Sequence, residues 1–139
     1  FDPLDDLAVI AVPGLDAPAL ALGDPLPAGT DAAVQGYPFG GPFSSTPAGI
    51  AGVRVAPVAD ITGTTSTPRE VYTLGATVRE GNSGGPLLGL DGRVVGVVFA
   101  RDATNPTVGY AMTMAELDPV AAAADALSTP VDSGSCVSQ

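Results

Sequence analysis

Apolar residues along this chain come in short runs broken by turn formers, and no long helical stripe appears. Leu7 to Val12 is apolar and is stopped by Pro13-Gly14, which predicts a buried strand. Residues 13–30 are rich in Pro, Gly, Asp and Ala, with Leu15, Leu20, Leu22 and Leu26 spaced among them. That mixture predicts a linker pinned along a surface. Ala32 to Tyr37 reads as a strand closed by Pro38-Phe39-Gly40-Gly41-Pro42. Gly49 to Ile61 alternates and predicts one or two strands, followed by a polar loop from Thr62 to Pro68. Glu70 to Thr77, Pro86 to Leu90, Arg93 to Ala100 and Thr107 to Met112 predict further strands. Asp91-Gly92 is a tight hairpin signal, and Asp102 to Pro106 a loop.

The end of the chain changes period. Thr113-Met114-Ala115-Glu116 fits a capping box, and Asp118-Pro119 fits an N-cap and first helical position better. A proline inside a helix removes a hydrogen bond and clashes with the preceding turn, so Pro119 argues against one helix running from Thr113. The main helix is expected at Val120 to Leu127, within a helical region 113–127 and ahead of a polar tail, 128–139. Six or seven short strands and one terminal helix predict an all-β fold, a small Greek-key barrel over residues 31–112. No internal repeat is evident.

Composition narrows the picture. The 139 residues are 45% hydrophobic and only 14% charged, which suits one core-forming domain. The 18 Gly and 14 Pro agree with many turns. Net charge is −10, and the basic residues are five scattered arginines: Arg54, Arg69, Arg79, Arg93 and Arg101. Nucleic-acid binding needs a clustered basic face, which excludes that class. The acidic excess serves solubility. No apolar run approaches a membrane span, and no residue pattern calls for a metal or cofactor. No signal pattern opens the chain and Phe1 is not an initiator, so the expectation is a piece of a longer protein. The one cysteine, Cys136, sits in the polar tail. An odd cysteine hints at a partner thiol elsewhere, or is an idle surface thiol. A disulfide would imply an oxidising compartment.

The candidate chemistry lies in Gly81-Asn82-Ser83-Gly84-Gly85-Pro86. A serine hydroxyl becomes a nucleophile when a neighbouring base takes its proton, and acyl transfer needs donors aimed at the developing oxyanion. Gly81 lets the backbone turn so that the Gly81 and Ser83 amides can converge on one point. Gly84 and Gly85 leave room for a substrate chain above the hydroxyl. A Gly-rich hairpin turn would use the same residue types. The chain has no His, and its basic residues are all arginine, which excludes a Ser–Lys pair.

This loop resembles the GDSGGP/GNSGGP signature of the trypsin-like, chymotrypsin-fold serine proteases. Asp6-Leu7-Ala8-Val9-Ile10 resembles the segment carrying the triad aspartate there, 77 residues before Ser83. The register selects Asp6 over the adjacent Asp5, which a strand would point to the opposite face. The resemblance implies a His…Asp…Ser order with the histidine upstream of Phe1, so only the C-terminal part of such a protease is matched. It implies that residues 1–12 end a first barrel, 13–30 link the barrels, and the six-stranded barrel here is the second. It implies Ser83 as nucleophile, Asp6 as the group orienting the absent histidine, and the Gly81 and Ser83 amides as oxyanion hole. The pocket base would be Thr77, six residues before Ser83, with walls from Val98, Phe99, Ala100, Gly109 and Tyr110. Val97 is expected in the barrel core. A neutral Thr77 speaks against cleavage after Arg or Lys, and the small or apolar walls favour an apolar or small residue there.

The strand-loop-strand block from Glu70 to Ala100, the Gly36-Tyr37-Pro38-Phe39-Gly40-Gly41 run and the tail cysteine are most similar to the MarP-type proteases of mycobacteria and related actinobacteria. That likeness implies a periplasmic, membrane-anchored enzyme linked to acid stress, with Cys136 disulfide-bonded to the N-terminal region. The expected function is a serine endopeptidase acting on protein or peptide substrates, inert without an N-terminal part that supplies the histidine. The alternative is a non-catalytic interaction module or a degenerate protease homologue.

Overall fold

The computed structural model describes residues 6–60, 63–126 and 129. Among these residues, six antiparallel strands run Asp31–Gly36 (β1), Ser44–Ala59 (β2), Ser66–Gly75 (β3), Pro86–Gly89 (β4), Val94–Arg101 (β5) and Val108–Thr113 (β6). They close into a barrel in the order β1-β2-β3-β6-β5-β4, with β4 returning to β1. A helix, Met114–Ala123 (α1), follows β6, then a 3-10 turn, Ala124–Ala126.

Closure follows from the alternation in the strands. Val34, Ile50, Leu74, Leu87 and Val98 point inward and are almost fully buried. Tyr72 is wholly buried, yet its hydroxyl accepts the Leu26 amide at 2.9 Å, which satisfies the one polar atom it takes inside. Burial raises the pKa of this phenol. That bond also fastens residues 21–30 to the barrel. Gly23 and Val94 are joined the same way, Gly23 N–H to Val94 C=O at 2.8 Å, and Gly29 donates to Ile50 C=O at 2.8 Å.

Three elements depart from the sequence expectations. Leu7 to Val12 forms no buried strand: only Leu7 is buried, and residues 8–20 are exposed. A closed barrel offers no edge with which this run could pair. β2 starts five residues before the predicted Gly49, and β3 begins inside the predicted polar loop. The pairing of Pro57 with Pro68 shows why the loop looked longer, since both breakers sit opposite each other in a two-stranded ribbon.

The third departure is α1. It is continuous from Met114 with Pro119 inside it, and Thr113 caps nothing. The Thr113 hydroxyl donates instead to Glu70 Oε1 at 2.7 Å. Glu116 accepts the Glu70 amide at 2.7 Å and pairs with Arg69 at 3.4 Å. Met114 is buried at the helix start. These anchors to β3 fix the first turn and outweigh the local penalty of Pro119. The expected helix end at Leu127 and the tail 130–139 lie outside the described residues.

Candidate active site

The loop joining β3 to β4 carries Ser83. Asn82 organises it: its buried side-chain oxygen accepts the Arg79 amide, and its own amide donates to Arg79 C=O, both at 2.9 Å. Gly85 N–H then closes onto Asn82 C=O at 2.9 Å. On one side, Gly84 N–H reaches Val98 C=O and Val98 N–H reaches Gly85 C=O, so the loop is stitched to β5. On the other, Phe39 N–H holds Glu80 C=O at 2.7 Å and Tyr37 N–H holds Gly81 C=O at 3.3 Å.

Gly81 has φ of +89°, and a Cβ there would run into the Tyr37 carbonyl, so only glycine fits. A trans peptide sets its C=O and N–H on opposite sides. With Glu80 C=O directed to Phe39, the Gly81 N–H faces away from the 38–40 turn. Among the described residues neither the Gly81 N–H nor the Ser83 N–H has a protein acceptor. Ser83 is exposed, and its hydroxyl donates to Phe99 C=O at 3.1 Å. That carbonyl is available because Phe99 is the extra residue of a β-bulge between Val98 and Ala100.

Ser83 shares a cavity of about 540 Å³ with Asp6 to Ile10, β5 and the inner side of α1. Asp6 is exposed and has φ of +50°, a region Asp tolerates. The structure therefore brings the two predicted catalytic residues to one cavity. Asp5 and Cys136 lie outside the described residues.

The predicted pocket residues divide. Val98, not Val97, is the core residue: Val98 is fully buried and Val97 half-buried, and both border the Ser83 cavity. A bulge opposite Leu87 and Leu88 inserts Val95 and shifts the in-out phase by one. Gly109 is also inward, and a Cβ there would strike Val78. Thr77 and Ala100 are half-buried, and neither lines the cavities that border on Phe99. Phe99 and Tyr110 face outward onto a second cavity, about 270 Å³, shared with Arg54, Ala56, Val58 and Val71. Nothing local in the chain marked these β2 and β3 residues, or Tyr37 and Phe39 as supports of the loop. Only the pairing of β2 with β3 and the return of the 38–40 turn bring them in.

Beside Tyr110, Asp102 is held far below the usual carboxylate range. The Thr104 hydroxyl contributes most, then the Thr104 and Asn105 amides, then the Tyr110 hydroxyl at 2.9 Å. The same bond raises the Tyr110 pKa. Among the described residues no group of three or more His, Cys, Asp or Glu could hold a metal. No helix among them is long and apolar enough to cross a membrane.

A closed antiparallel barrel with a glycine-flanked serine turn is the arrangement of a trypsin-like peptidase, and the model for the trypsin-like peptidase domain matches residues 1–97. The chain belongs to that family. It is 41% identical over 140 residues to "Serine protease Rv3671c" of Mycobacterium tuberculosis, covering 99% of this chain and 35% of that protein. The chain thus spans about a third of the length of this relative. The crystal structure of the Rv3671c protease in its active form superposes with a TM-score of 0.91 at 40% identity, over 99% of this chain and 61% of that one. A probable periplasmic serine endoprotease, DegP-like, of Pseudomonas fulva is 34% identical over 81% of this chain and 23% of its own length.

Proposed function

We propose that this chain is the C-terminal part of a serine endopeptidase that cleaves peptide bonds through an acyl-enzyme. The observation that carries the reading is Ser83 itself, exposed on a turn with two unclaimed amides and sharing its cavity with Asp6. Ser83 Oγ attacks the scissile carbonyl, whose oxyanion is met by the Gly81 and Ser83 N–H groups. The proton goes to a histidine from the region upstream of Phe1, which Asp6 orients, and passes on to the leaving amine. Water then repeats the sequence on the acyl group. In this reading residues 1–12 complete a first barrel, 13–30 link the barrels, and 31–112 form the second.

Thr77 and Ala100 border neither cavity here, yet as the resemblance places them, a neutral and a small residue favour an apolar or small side chain at the scissile bond once the upstream region completes the cleft. The relatives named serine protease and periplasmic endoprotease support protein substrates and an extracytoplasmic site. In the same reading, a membrane anchor and a thiol partner for Cys136 would lie upstream of Phe1.

A fluorophosphonate probe tests this. A polypeptide carrying the upstream region and this chain should be labelled at Ser83, and Ser83→Ala should abolish labelling. The isolated chain should remain unlabelled. An unlabelled longer polypeptide that folds would leave an interaction module as the better account. Labelling of the isolated chain would remove the need for the upstream base.

A further inference from the structure

We propose that the cavity between Arg54 and Tyr110 is a substrate subsite that selects an Asp or Glu side chain. The inference rests on the peptidase reading above and adds to it a preference at a position away from the scissile bond.

The cavity, about 270 Å³, is large enough for one side chain. Its floor is apolar, from Ala56, Val58, Val71 and Phe99, and Arg54 and Tyr110 flank it. It lies on the outer face of β2, β3, β6 and β5. Phe99 belongs both to it and to the Ser83 cavity, and the Phe99 carbonyl accepts the Ser83 hydroxyl. A peptide laid past Ser83 can therefore reach this cavity across Phe99. In an extended peptide alternate side chains face the protein, so a single position can enter it.

Arg54 supplies the charge. Its guanidinium carbon lies over the Tyr110 ring, 5.6 Å from the centre. Arg69 pairs with Glu116 and Arg93 with Asp91, whereas no carboxylate pairs with Arg54 among the described residues. The acid nearest along the network is already consumed. Asp102 Oδ1 accepts the Thr104 amide, the Thr104 hydroxyl and the Asn105 amide, each at 2.8 Å, and Oδ2 accepts Tyr110. That bond fixes the Tyr110 ring, which in turn fixes Arg54. The guanidinium also meets the Tyr110 hydroxyl, and the rest of its five N–H donors remain for a carboxylate. In a chain of net charge −10, an unpaired arginine beside an apolar cavity is the local cation that an acidic side chain can find.

The test uses the polypeptide with its upstream region and peptide pairs that differ only by Glu or Gln at one position, scanned along the substrate. At one position kcat/KM should favour Glu roughly tenfold, the worth of one charge-assisted contact. Arg54→Gln should bring that ratio toward one, Arg54→Lys should keep part of it, and added salt should reduce it. Binding is read separately on the Ser83→Ala form of the same polypeptide. There the Arg54 side-chain N–H resonance should shift with the Glu peptide and not with its Gln partner. No discrimination at any position, a preference that survives Arg54→Gln, or an unmoved Arg54 resonance would each overturn the proposal. Fluorophosphonate labelling of Ser83 in the wild type reports on the peptidase reading independently, so the two can fail separately.

Discussion

Phe39 holds a left-handed backbone, φ +56°, which bulky residues rarely adopt. What the turn gains is direction: that conformation aims the Phe39 N–H at Glu80 C=O and so orients the Gly81 amide on the far side of the same peptide. Two substitutions separate the backbone role from the ring, which also lies 5.9 Å from the Arg79 guanidinium. Phe39→Gly keeps the N–H and adopts positive φ freely, so stability should change by no more than about 1 kcal/mol and Ser83 labelling in the longer polypeptide should persist. Phe39→Pro removes the donor and locks φ near −65°, and should cost about 3 kcal/mol and most of the labelling. Melting curves and labelling rates check both; equal labelling in the two variants would remove Phe39 from any positioning role. At this scale the sequence was readable where chemistry is contiguous. Gly81 to Pro86 announces itself, whereas Phe39 acts on a loop distant in the chain and Arg54 across a sheet, and nothing beside them marks it.

Among the elements, α1 is the one whose local signals misled. Pro119 and the Asp118 beside it are real helix-start signals, yet the helix begins at Met114 because its first turn is tied to β3. Glu116 is the tie, with a side chain only 16% exposed. Glu116→Ala would leave the Glu70 N–H without its acceptor in a partly buried place and take one carboxylate away from Arg69. The expected cost is about 1–3 kcal/mol, most of it from the unsatisfied amide. Chemical denaturation checks the loss, and the helical signal in far-ultraviolet circular dichroism should fall as the first turn frays. Glu116→Gln, which can still accept that amide, should recover most of the stability. If Glu116→Ala melts like the parent, Met114 burial and the Thr113–Glu70 bond suffice to anchor the helix. The strands were easier to read because alternation survives packing. Their phase was not, since the bulge at Val95 exchanges Val97 for Val98 in the core.

For the whole molecule, the closed barrel satisfies its own strand edges and leaves nothing for residues 8–20 to pair with. Ile10 is 80% exposed and Leu15 67%, in a segment with almost no hydrogen bonds to the barrel before Ala21. Sequence patterning took Leu7 to Val12 for a buried strand, and the apolar run is real; the partner that would bury it is not a strand of this barrel. The two-barrel reading gives that run its partner upstream. Segments with few buried contacts open first and are cut first. Limited proteolysis of the isolated chain with a protease selective for apolar residues should therefore cleave within 8–20 and leave the barrel, 21–126, intact. In the polypeptide that includes the upstream region the same bonds should be protected by tenfold or more in cleavage rate, because opening them would expose a barrel strand. Equal cleavage in both would mean that residues 1–12 do not complete a first barrel. Asp6 would then hang on a loose segment, and the orientation of the base at Ser83 would have to come from elsewhere.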